Sequence, residues 1–331
     1  MKVLLIRFSS IGDIILTTPL IRALREQLSG VEIHYLTKEK YLPVLAENPY
    51  LDRILTIDKK VAEIRDELRN AGYDYVLDLH HNFRSSQVRS LVKAPSAVFQ
   101  KVSLRKWIFA TFRWNTLPEV HVVDRYMDVA QPLGVQTDAA GLDYFLGPMD
   151  EVLPEALPAS YREGAVAVVI GGQHPGKLYP EDYTATLCRL LNQPVILLGG
   201  PEDYARGECI REAGGAQVYN ACGAFSLNQS IALLRNASCV VTNDTGLMHA
   251  AAALQKRVIS LWGATVPEFG MAPYRPGPGS QILEPSCACH RPYSKLGNKV
   301  FYKRAYDCWD GLEPEVVAAA VRGGAEADSS L

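Results

Sequence analysis

The sequence predicts an α/β protein with two Rossmann-like domains, and three observations support this class. Apolar β-branched runs of strand length alternate with segments of helical periodicity, which is typical of parallel sheets covered by helices. This pattern stops over residues 151–164 and then starts again. Two strands, Val3–Ile6 and Val240–Thr242, each run into a polar, glycine-containing loop that precedes a helix. Because these two strand-loop-helix sites lie far apart in sequence, we expect the two domains to face a central cleft.

The first domain is predicted to span residues 1–150. Runs of apolar residues predict its strands, at Val3–Ile6, Val31–Leu36, Arg53–Ile57 and Tyr75–Leu79. Helical spacing of apolar residues predicts helices from Ile14 to Leu24, over Thr18–Leu28 and over Val61–Ala71. Strand and helix therefore alternate as in a βαβ unit.

Residues 151–164 contain Pro154 and Pro158 without a clear period, and we predict a linker there. The second domain is expected over residues 165–310. Its predicted strands are Ala165–Ile170, Val195–Leu198, Gln217–Asn220, Cys239–Thr242 and Val258–Trp262. Its predicted helices are Glu181–Leu191, Tyr204–Ala213, Ser226–Asn236 and one from Thr245 or Gly246 to Leu254. A last helix is predicted within residues 311–323, packing back on the first domain, followed by a frayed tail at 324–331.

Size and charge exclude several classes of protein. The 331 residues are 48% hydrophobic, which is enough to bury a large core, and the formal net charge is −2. Broad electrostatic binding of nucleic acid would need a basic excess, so no nucleic-acid partner is predicted. No apolar run approaches the roughly 20 residues that span a bilayer, and the amino end is predicted to be a strand. We therefore expect a cytoplasmic protein.

The cysteines do not indicate a disulfide scaffold. Four of them lie among apolar neighbours and are predicted to be ordinary thiols: Cys188, Cys209, Cys222 and Cys239. The other three lie with a histidine in a loop-rich stretch, as Cys287, Cys289, His290 and Cys308. A structural zinc ion or a redox pair both remain open there, although the Cys-x-Cys-His spacing lacks the usual two-residue gap.

The segment Asn243-Asp244-Thr245-Gly246 is predicted to be an anion site. A helix that begins at Thr245 or Gly246 directs unpaired N–H groups and its positive dipole end at the carboxyl edge of a sheet, where phosphates bind. His249 adds a titratable neighbour. Neither domain carries a Gly-x-Gly-x-x-Gly turn after its first strand, so hydride transfer with a dinucleotide is poorly supported. No metal-ligand spacing is evident, and no metal or obligatory cofactor is predicted.

Several ordered motifs resemble those of one family, the bacterial ADP-heptose:lipopolysaccharide heptosyltransferases of glycosyltransferase family nine. These motifs are Gly12-Asp13 with Thr17-Thr18-Pro19, Asp78 to Ser85, Lys177-Leu178-Tyr179-Pro180, Gly199-Gly200-Pro201, Asn243 to Gly246 with His249, and Leu261 to Thr265 with Pro267. The resemblance implies a GT-B fold whose first domain binds the acceptor and whose second domain, residues 165–310, binds the nucleotide-sugar. It also implies inversion at the anomeric carbon without an obligatory metal, and an ADP-sugar as donor.

For the donor, the resemblance implies that Lys177 binds a phosphate, with Tyr179 where the family more usually has Trp. Thr245 and Gly246 would hold the diphosphate, Asp244 would face the sugar, and His249 lies one turn into the helix. One of Glu202 and Asp203 would accept hydrogen bonds from the ribose. Ser226 and Leu227 would line the adenine pocket. Helix caps and a buried histidine are the alternatives for Asp244, Thr245, Ser226 and His249.

For the acceptor, the resemblance implies that Asp13 is the general base, beside Gly12 and Thr17. By position alone Asp13 is equally a helix cap. His81 and Arg84 follow a strand end of the first domain and are expected to point at the acceptor. Arg105 and Lys106 lie in a stretch, 101–114, that interleaves cations with aromatics. This stretch either faces an anionic glycolipid, with peripheral contact at the inner face of the inner membrane, or is an ordinary helix with a solvated basic face.

The sequence therefore predicts an inverting transferase that moves a heptose from ADP-heptose to a hydroxyl of the lipopolysaccharide inner core. Two alternatives remain open. One is a transferase that uses another nucleotide-sugar for a different surface glycan. The other is a non-catalytic protein that binds nucleotide-sugars on the same fold.

Overall fold

The computed structural model describes residues 1–286, 291–298 and 309–323. Its contacts divide the chain into two compact units, Met1–Lys101 with Val120–Gly147, and Val102–Glu119 with Pro148–Leu331. The boundary near residue 150 agrees with the sequence pattern. The assignment of Val102–Glu119 to the second unit does not, because that segment was predicted within the first domain.

The first unit is built on a parallel five-stranded sheet. In chain order its strands are β1 (Lys2–Ile6), β2 (Glu32–Lys38), β3 (Arg53–Ile57), β4 (Tyr75–Asp78) and β5 (Ser96–Val98). The spatial order is β3-β2-β1-β4-β5, so the chain reverses direction across the sheet between β1 and β4. Leu4, Ile6, Leu36 and Val76 are completely buried in its core. The carboxyl ends of β1 and β4 are neighbours, which brings the loops after them together.

The helices of the first unit are α1 (Ile11–Ile15), α2 (Thr18–Gln27), α3 (Arg65–Asn70), α4 (Phe83–Val92) and, after the excursion into the second unit, α6 (Val122–Met127). The continuous periodicity from Ile14 to Leu24 predicted one helix, and the structure has two. Pro19 has no N–H to donate to the carbonyl of Ile15, which instead accepts a hydrogen bond from Thr18 Oγ1 at 2.8 Å. Apolar spacing survives across the break because both helices bury the same side.

The second unit contains a parallel six-stranded sheet. Its strands are β6 (Val166–Val169), β7 (Val195–Leu198), β8 (Val218–Asn220), β9 (Cys239–Asn243), β10 (Val258–Leu261) and β11 (Gln281–Leu283), in the order β11-β10-β9-β6-β7-β8. Its helices are α5 (Ser103–Phe112), α7 (Glu181–Leu191), α8 (Tyr204–Gly214), α9 (Leu227–Asn236), α10 (Gly246–Ala253) and α11 (Pro314–Arg322). The predicted alternation of strands and helices is confirmed to within one or two residues at most boundaries.

Two predictions about connections are wrong. Residues 151–164 are not a free linker, because Tyr161 stacks on Tyr219 with ring centroids 5.3 Å apart and Glu151 pairs with Arg235 at 2.7 Å. The last helix, α11, belongs to the second unit, where Val317 and Val321 are buried in the core beside α7. Its apolar face is thus covered within its own unit. The predicted tail, 324–331, lies outside the described residues.

None of the helices that the structure describes combines the length and apolar character needed to cross a bilayer.

Candidate functional site

Asp13 lies in the third position of α1, directly above the carboxyl edge of the first sheet. One oxygen, Oδ1, pairs with the guanidinium of Arg7 at 2.7 Å. The other, Oδ2, accepts hydrogen bonds from the backbone N–H of Ser10 at 3.1 Å and from its hydroxyl at 2.8 Å. Ser10 is the N-cap residue of α1. Asp13 therefore supports the helix start from inside the first turn, and its side chain remains 23% exposed.

Arg7 was missed by the sequence-based prediction. It follows the last residue of β1 and is buried, with its side chain donating to the carbonyls of Leu79 at 2.8 Å and Ser9 at 2.7 Å. Burial by itself lowers the pKa of Arg7, but Tyr126 and Asp13 more than compensate, and the pKa lies above its ordinary value. A cation directly after a buried strand was the available signal, because such a charge requires an acidic partner.

The segment after β4 forms a tight turn around Asp78. This carboxylate is completely buried, and its Oδ1 accepts hydrogen bonds from the backbone N–H groups of His80 at 3.1 Å and His81 at 2.8 Å. Its Oδ2 pairs with Arg89 at 3.1 Å. We expected adjacent strand residues to face opposite ways, but β4 ends at Asp78. His81 instead has φ +49°, is exposed, and bonds through Nδ1 to the carbonyl of Phe99 at 2.8 Å.

His80 lies beside the same arginine. Its ring packs edge-on against Phe8 at 5.3 Å, and its Nδ1 is buried without a hydrogen-bond partner. Burial, together with the nearby charges of Arg7 and Lys101, lowers the pKa of His80 to about 3. Arg84 lies 5.7 Å from the same Phe8 ring. A neutral imidazole and a guanidinium therefore share one aromatic residue near the Asp13 site, and Arg84 is placed as predicted.

The structure does not support an acceptor contact at Thr17. This side chain is completely buried, donates to the carbonyl of Ile14 at 2.7 Å and lies 3.1 Å from the hydroxyl of Tyr35. Gly12 is also buried, within the first turn of α1. Both belong to the support of the site, because this side of the helix pair faces the sheet.

Arg105 and Lys106 are on a helix, as one of the two interpretations required, but that helix belongs to the second unit. Lys106 Nζ lies 4.9 Å from the ring of Phe269, and Phe109 packs edge-on against the same ring at 6.3 Å. Arg105 is exposed and donates to the carbonyl of Thr116 at 3.3 Å. Aromatic contacts distant in sequence decided this placement, so the sequence pattern did not predict it.

A second polar site lies at the carboxyl edge of the second sheet. Lys177 ends the turn Pro175–Lys177, and its Nζ is 2.5 Å from Oδ2 of Asp244 and 3.4 Å from the Asp244 carbonyl. The hydroxyl of Thr265 donates to the same Oδ2 at 3.1 Å. The side chains of Lys177 and Asp244 are 18% and 11% exposed. The lysine predicted for phosphate and the aspartate predicted for sugar are thus paired with each other.

A buried amide holds the Lys177 loop on the sheet. Asn243, the last residue of β9, accepts a hydrogen bond from the backbone N–H of Tyr179 at 3.2 Å and donates to the carbonyl of Val169 at 3.3 Å. The Tyr179 ring is buried and its hydroxyl donates to the carbonyl of Leu312 at 2.8 Å. The aromatic residue after Lys177 therefore anchors the loop, which a Trp or a Tyr can do equally well.

Helix α10 begins at Gly246, one of the two predicted positions. Thr245 is its N-cap residue, in extended conformation, and its Oγ1 lies 3.4 Å from that of Thr242. The first N–H groups of an α-helix have no intrahelical partners and carry the positive end of its dipole. Lys177 and this helix start meet at Asp244, so two sources of positive potential converge there. His249 is buried one turn further on.

Geometry distinguishes the two acidic residues after β7. Asp203 is buried, and its Oδ2 accepts a hydrogen bond from the backbone N–H of Gly200 at 2.9 Å. Burial raises the pKa of Asp203. Glu202, in the same turn, is exposed. Asp203 thus closes the turn, while the carboxylate of Glu202 faces solvent.

Ser226 is the N-cap residue of α9, as its alternative interpretation required. Its hydroxyl accepts a hydrogen bond from the backbone N–H of Gln229 at 3.2 Å, and the Gln229 side chain accepts one from the Ser226 N–H at 3.0 Å. This reciprocal pair is a capping box. Leu227 is half-buried at the start of the same helix.

Among the described residues, no group of three or more His, Cys, Asp and Glu side chains is arranged to hold a metal ion. The cluster of Cys287, Cys289, His290 and Cys308 lies outside the described residues.

Comparison with known proteins identifies the family. The model of glycosyltransferase family 9 (heptosyltransferase) matches residues 61–289. Lipopolysaccharide heptosyltransferase 1 of Campylobacter coli is 25% identical over 292 residues, covering 80% of this chain and 84% of the relative. Lipopolysaccharide heptosyltransferase 1 of Pseudomonas aeruginosa is 27% identical, covering 81% and 80%.

Solved structures share the fold. A family 9 glycosyl transferase from Veillonella parvula superposes with a TM-score of 0.76 at 22% identity, covering 97% of this chain and 96% of that chain. The ADP-heptose lps heptosyltransferase II of E. coli superposes with a TM-score of 0.69 at 21% identity, covering 98% of each chain. The predicted GT-B class with two Rossmann-like domains is confirmed.

Proposed function

The chain belongs to glycosyltransferase family 9 and is a glycosyltransferase; on this premise we propose that it transfers a heptose from ADP-heptose to a hydroxyl of the lipopolysaccharide inner core. The observation that carries the proposal is the Asp13 carboxylate, which Arg7 and Ser10 hold in one orientation at a sheet edge. The names of its relatives, lipopolysaccharide heptosyltransferases, support the substrate class.

In this mechanism Asp13 is the general base. Its partly exposed carboxylate accepts the proton of the acceptor hydroxyl while the oxygen attacks the anomeric carbon from the face opposite the diphosphate. ADP leaves, and the configuration at that carbon inverts. Arg7 and Ser10 act by orienting the carboxylate, because a general base must lie within hydrogen-bond reach of the proton it removes.

The diphosphate binds Lys177 and the N–H groups of Thr245 and Gly246. Lys177 leaves Asp244 for the phosphate oxygens, since the incoming group carries more negative charge than one carboxylate. The dipole of α10 adds to this stabilisation as negative charge develops on the leaving group. Asp244, released from Lys177, accepts hydrogen bonds from the heptose hydroxyls, and His249 supports the first turn of the helix from below.

The remaining contacts follow from which side chains are available. Glu202 accepts hydrogen bonds from the ribose, because Asp203 is committed to Gly200. Leu227 lines the adenine pocket, while Ser226 is committed to its cap. His81 and Arg84, both after β4, bind anionic groups of the acceptor. No metal is assigned a part in the mechanism.

The test is transfer by an Asp13→Asn variant, measured by mass spectrometry of the product from ADP-heptose and a lipopolysaccharide inner-core acceptor. Loss of a general base lowers the rate by about 10²- to 10⁴-fold, and ADP affinity should stay within twofold. Asp58→Asn, an exposed aspartate of the same unit, is the matched control and should retain full activity. Native turnover by Asp13→Asn would refute the assignment of the base.

The same assay separates the two alternatives. A panel of ADP-, UDP-, GDP- and CMP-sugars with product detection identifies a transferase that uses another donor. A non-catalytic binding protein would bind ADP in a Lys177-dependent manner and show no turnover with any donor in the panel.

A further inference from the structure

Helix α5 carries a cluster of exposed aromatic residues. None of its residues is buried, although α5 lies wholly within the described part of the chain. Four large apolar side chains on and just after it are 47% to 69% exposed, and we call them the α5 patch: Leu104, Trp107, Phe112 and Trp114. Trp107 packs edge-on against Phe112 at 5.6 Å, and Phe112 lies 6.1 Å from Trp114. A contiguous patch of this kind marks an interaction surface.

The rings face outward because other residues attach the helix to its unit. Lys106 and Phe109, three positions apart and therefore on one face, contact Phe269. Arg113 donates to the carbonyl of Pro292 at 2.8 Å. The α5 patch is thus held by a fixed helix and is not needed for the core.

The charge around the patch has one sign. Residues 101–118 contain four cations, Lys101, Arg105, Lys106 and Arg113, and no acidic residue. Arg105 and Arg113 are exposed on the same helix and its C-terminal cap. A second copy of the chain is a poor occupant, because a two-fold contact would place these cations against one another.

We propose that the α5 patch docks on the surface of a bilayer that contains anionic phospholipid. Indole rings prefer the boundary between headgroups and acyl chains, and Arg and Lys beside them bind lipid phosphates. Aromatic residues on one side of a short helix with cations around them have the composition of an interfacial anchor. Docking would bring the second unit to the membrane surface without a spanning segment.

Intrinsic fluorescence gives a direct test with the full-length chain. The chain has four tryptophans, of which Trp262 and Trp309 are buried while Trp107 and Trp114 are 47% and 69% exposed. Vesicles of phosphatidylcholine with 30 mol% phosphatidylglycerol, about a third anionic lipid as a probe of surface charge, should shift the emission to shorter wavelength. Pure phosphatidylcholine vesicles should cause little shift. Neither donor nor acceptor is present, so the result is independent of transfer activity.

Cosedimentation with the same vesicles measures affinity in four variants. Trp107→Ser with Trp114→Ser and, separately, Arg105→Glu should each weaken binding roughly tenfold or more, by removing anchoring rings or reversing one charge. Trp107→Phe with Trp114→Phe keeps aromatic side chains and should retain most of the affinity while abolishing the shift. Tyr204→Ser, an aromatic residue 53% exposed on α8, is the matched control and should bind as the unmodified chain does. Thermal unfolding checks that each variant is folded.

Three results would overturn the proposal. One is the absence of binding to phosphatidylglycerol vesicles in low-salt buffer. Another is binding that the folded Trp107→Ser, Trp114→Ser and Arg105→Glu variants retain in full. The third is an emission shift that appears without vesicles as protein concentration rises, since this indicates that a second copy covers the patch. Binding that falls with added salt agrees with docking on charged headgroups.

Discussion

Replacing either member of the Lys177 and Asp244 pair should change ADP affinity in opposite directions. The pair is short, with Nζ and Oδ2 2.5 Å apart, and both side chains are mostly buried. If the diphosphate takes Lys177 from Asp244, the aspartate competes with the nucleotide. Lys177→Met therefore weakens ADP binding, whereas Asp244→Asn strengthens it.

The expected sizes follow from the contacts. Lys177→Met removes a hydrogen bond between charged groups, about 1.5–3 kcal/mol, so the Kd for ADP should rise roughly 10- to 150-fold. Asp244→Asn removes a competing ion pair that is worth about 1 kcal/mol net when partly solvated, so the Kd should fall roughly fivefold. Lys177→Met also leaves Asp244 with the Thr265 hydroxyl in place of a cation. This should cost about 2 kcal/mol of stability, less than the 3–5 kcal/mol of a fully buried pair.

Isothermal titration with ADP measures both affinities, and thermal unfolding with and without ADP checks stability. Lys256→Met is the matched control, because Lys256 is a half-buried lysine of the same unit that bonds to the Arg235 carbonyl at 3.0 Å. It should leave the Kd for ADP unchanged. Equal weakening by Lys177→Met and Asp244→Asn would refute the competition, since Asp244 would then bind the nucleotide directly.

Three further predictions concern single residues. Glu202→Gln should weaken ADP binding about threefold to tenfold without changing Tm, while Asp203→Asn should lower Tm by loss of its hydrogen bond to the turn, as titration and unfolding curves will show. The pKa of His80 near 3 lies below its ordinary value, so stability is lost as pH falls from about 6.5 towards 3; acid unfolding of His80→Phe should be less steep, and an unchanged slope would contradict this. Thr17→Val should destabilise the chain by about 1–3 kcal/mol through the hydroxyl of Tyr35, with an unchanged KM for the acceptor.

Strands and most helices were predictable because the burial pattern repeats locally. Buried parallel strands are continuous apolar runs, and β3, β7 and α7 have the predicted bounds. The start of α10 was predictable for the same reason, since a glycine follows a threonine at the end of a buried strand. The break between α1 and α2 was also encoded locally, by Pro19, but the continuous apolar period concealed it.

Placements that depend on distant contacts were not predictable. The sequence showed α5 as a helix with cations and aromatics, and Phe269 decided which unit carries it. Helix α11 has an apolar face that any uncovered core would accept, and the neighbouring α7 covers it. Periodicity reports that a face is buried but does not report its partner.

The sequence by itself determined two parallel α/β domains, the family, and an acidic and a basic residue at the two sheet edges. Only the tertiary structure decided that Arg7 orients Asp13, that Lys177 pairs with Asp244, and that Glu202 rather than Asp203 keeps a carboxylate in solvent. Backbone hydrogen bonding and burial follow from neighbours in the chain, so a local pattern records them. The partner of a charged side chain is chosen among groups brought together by folding, and no local pattern contains that choice.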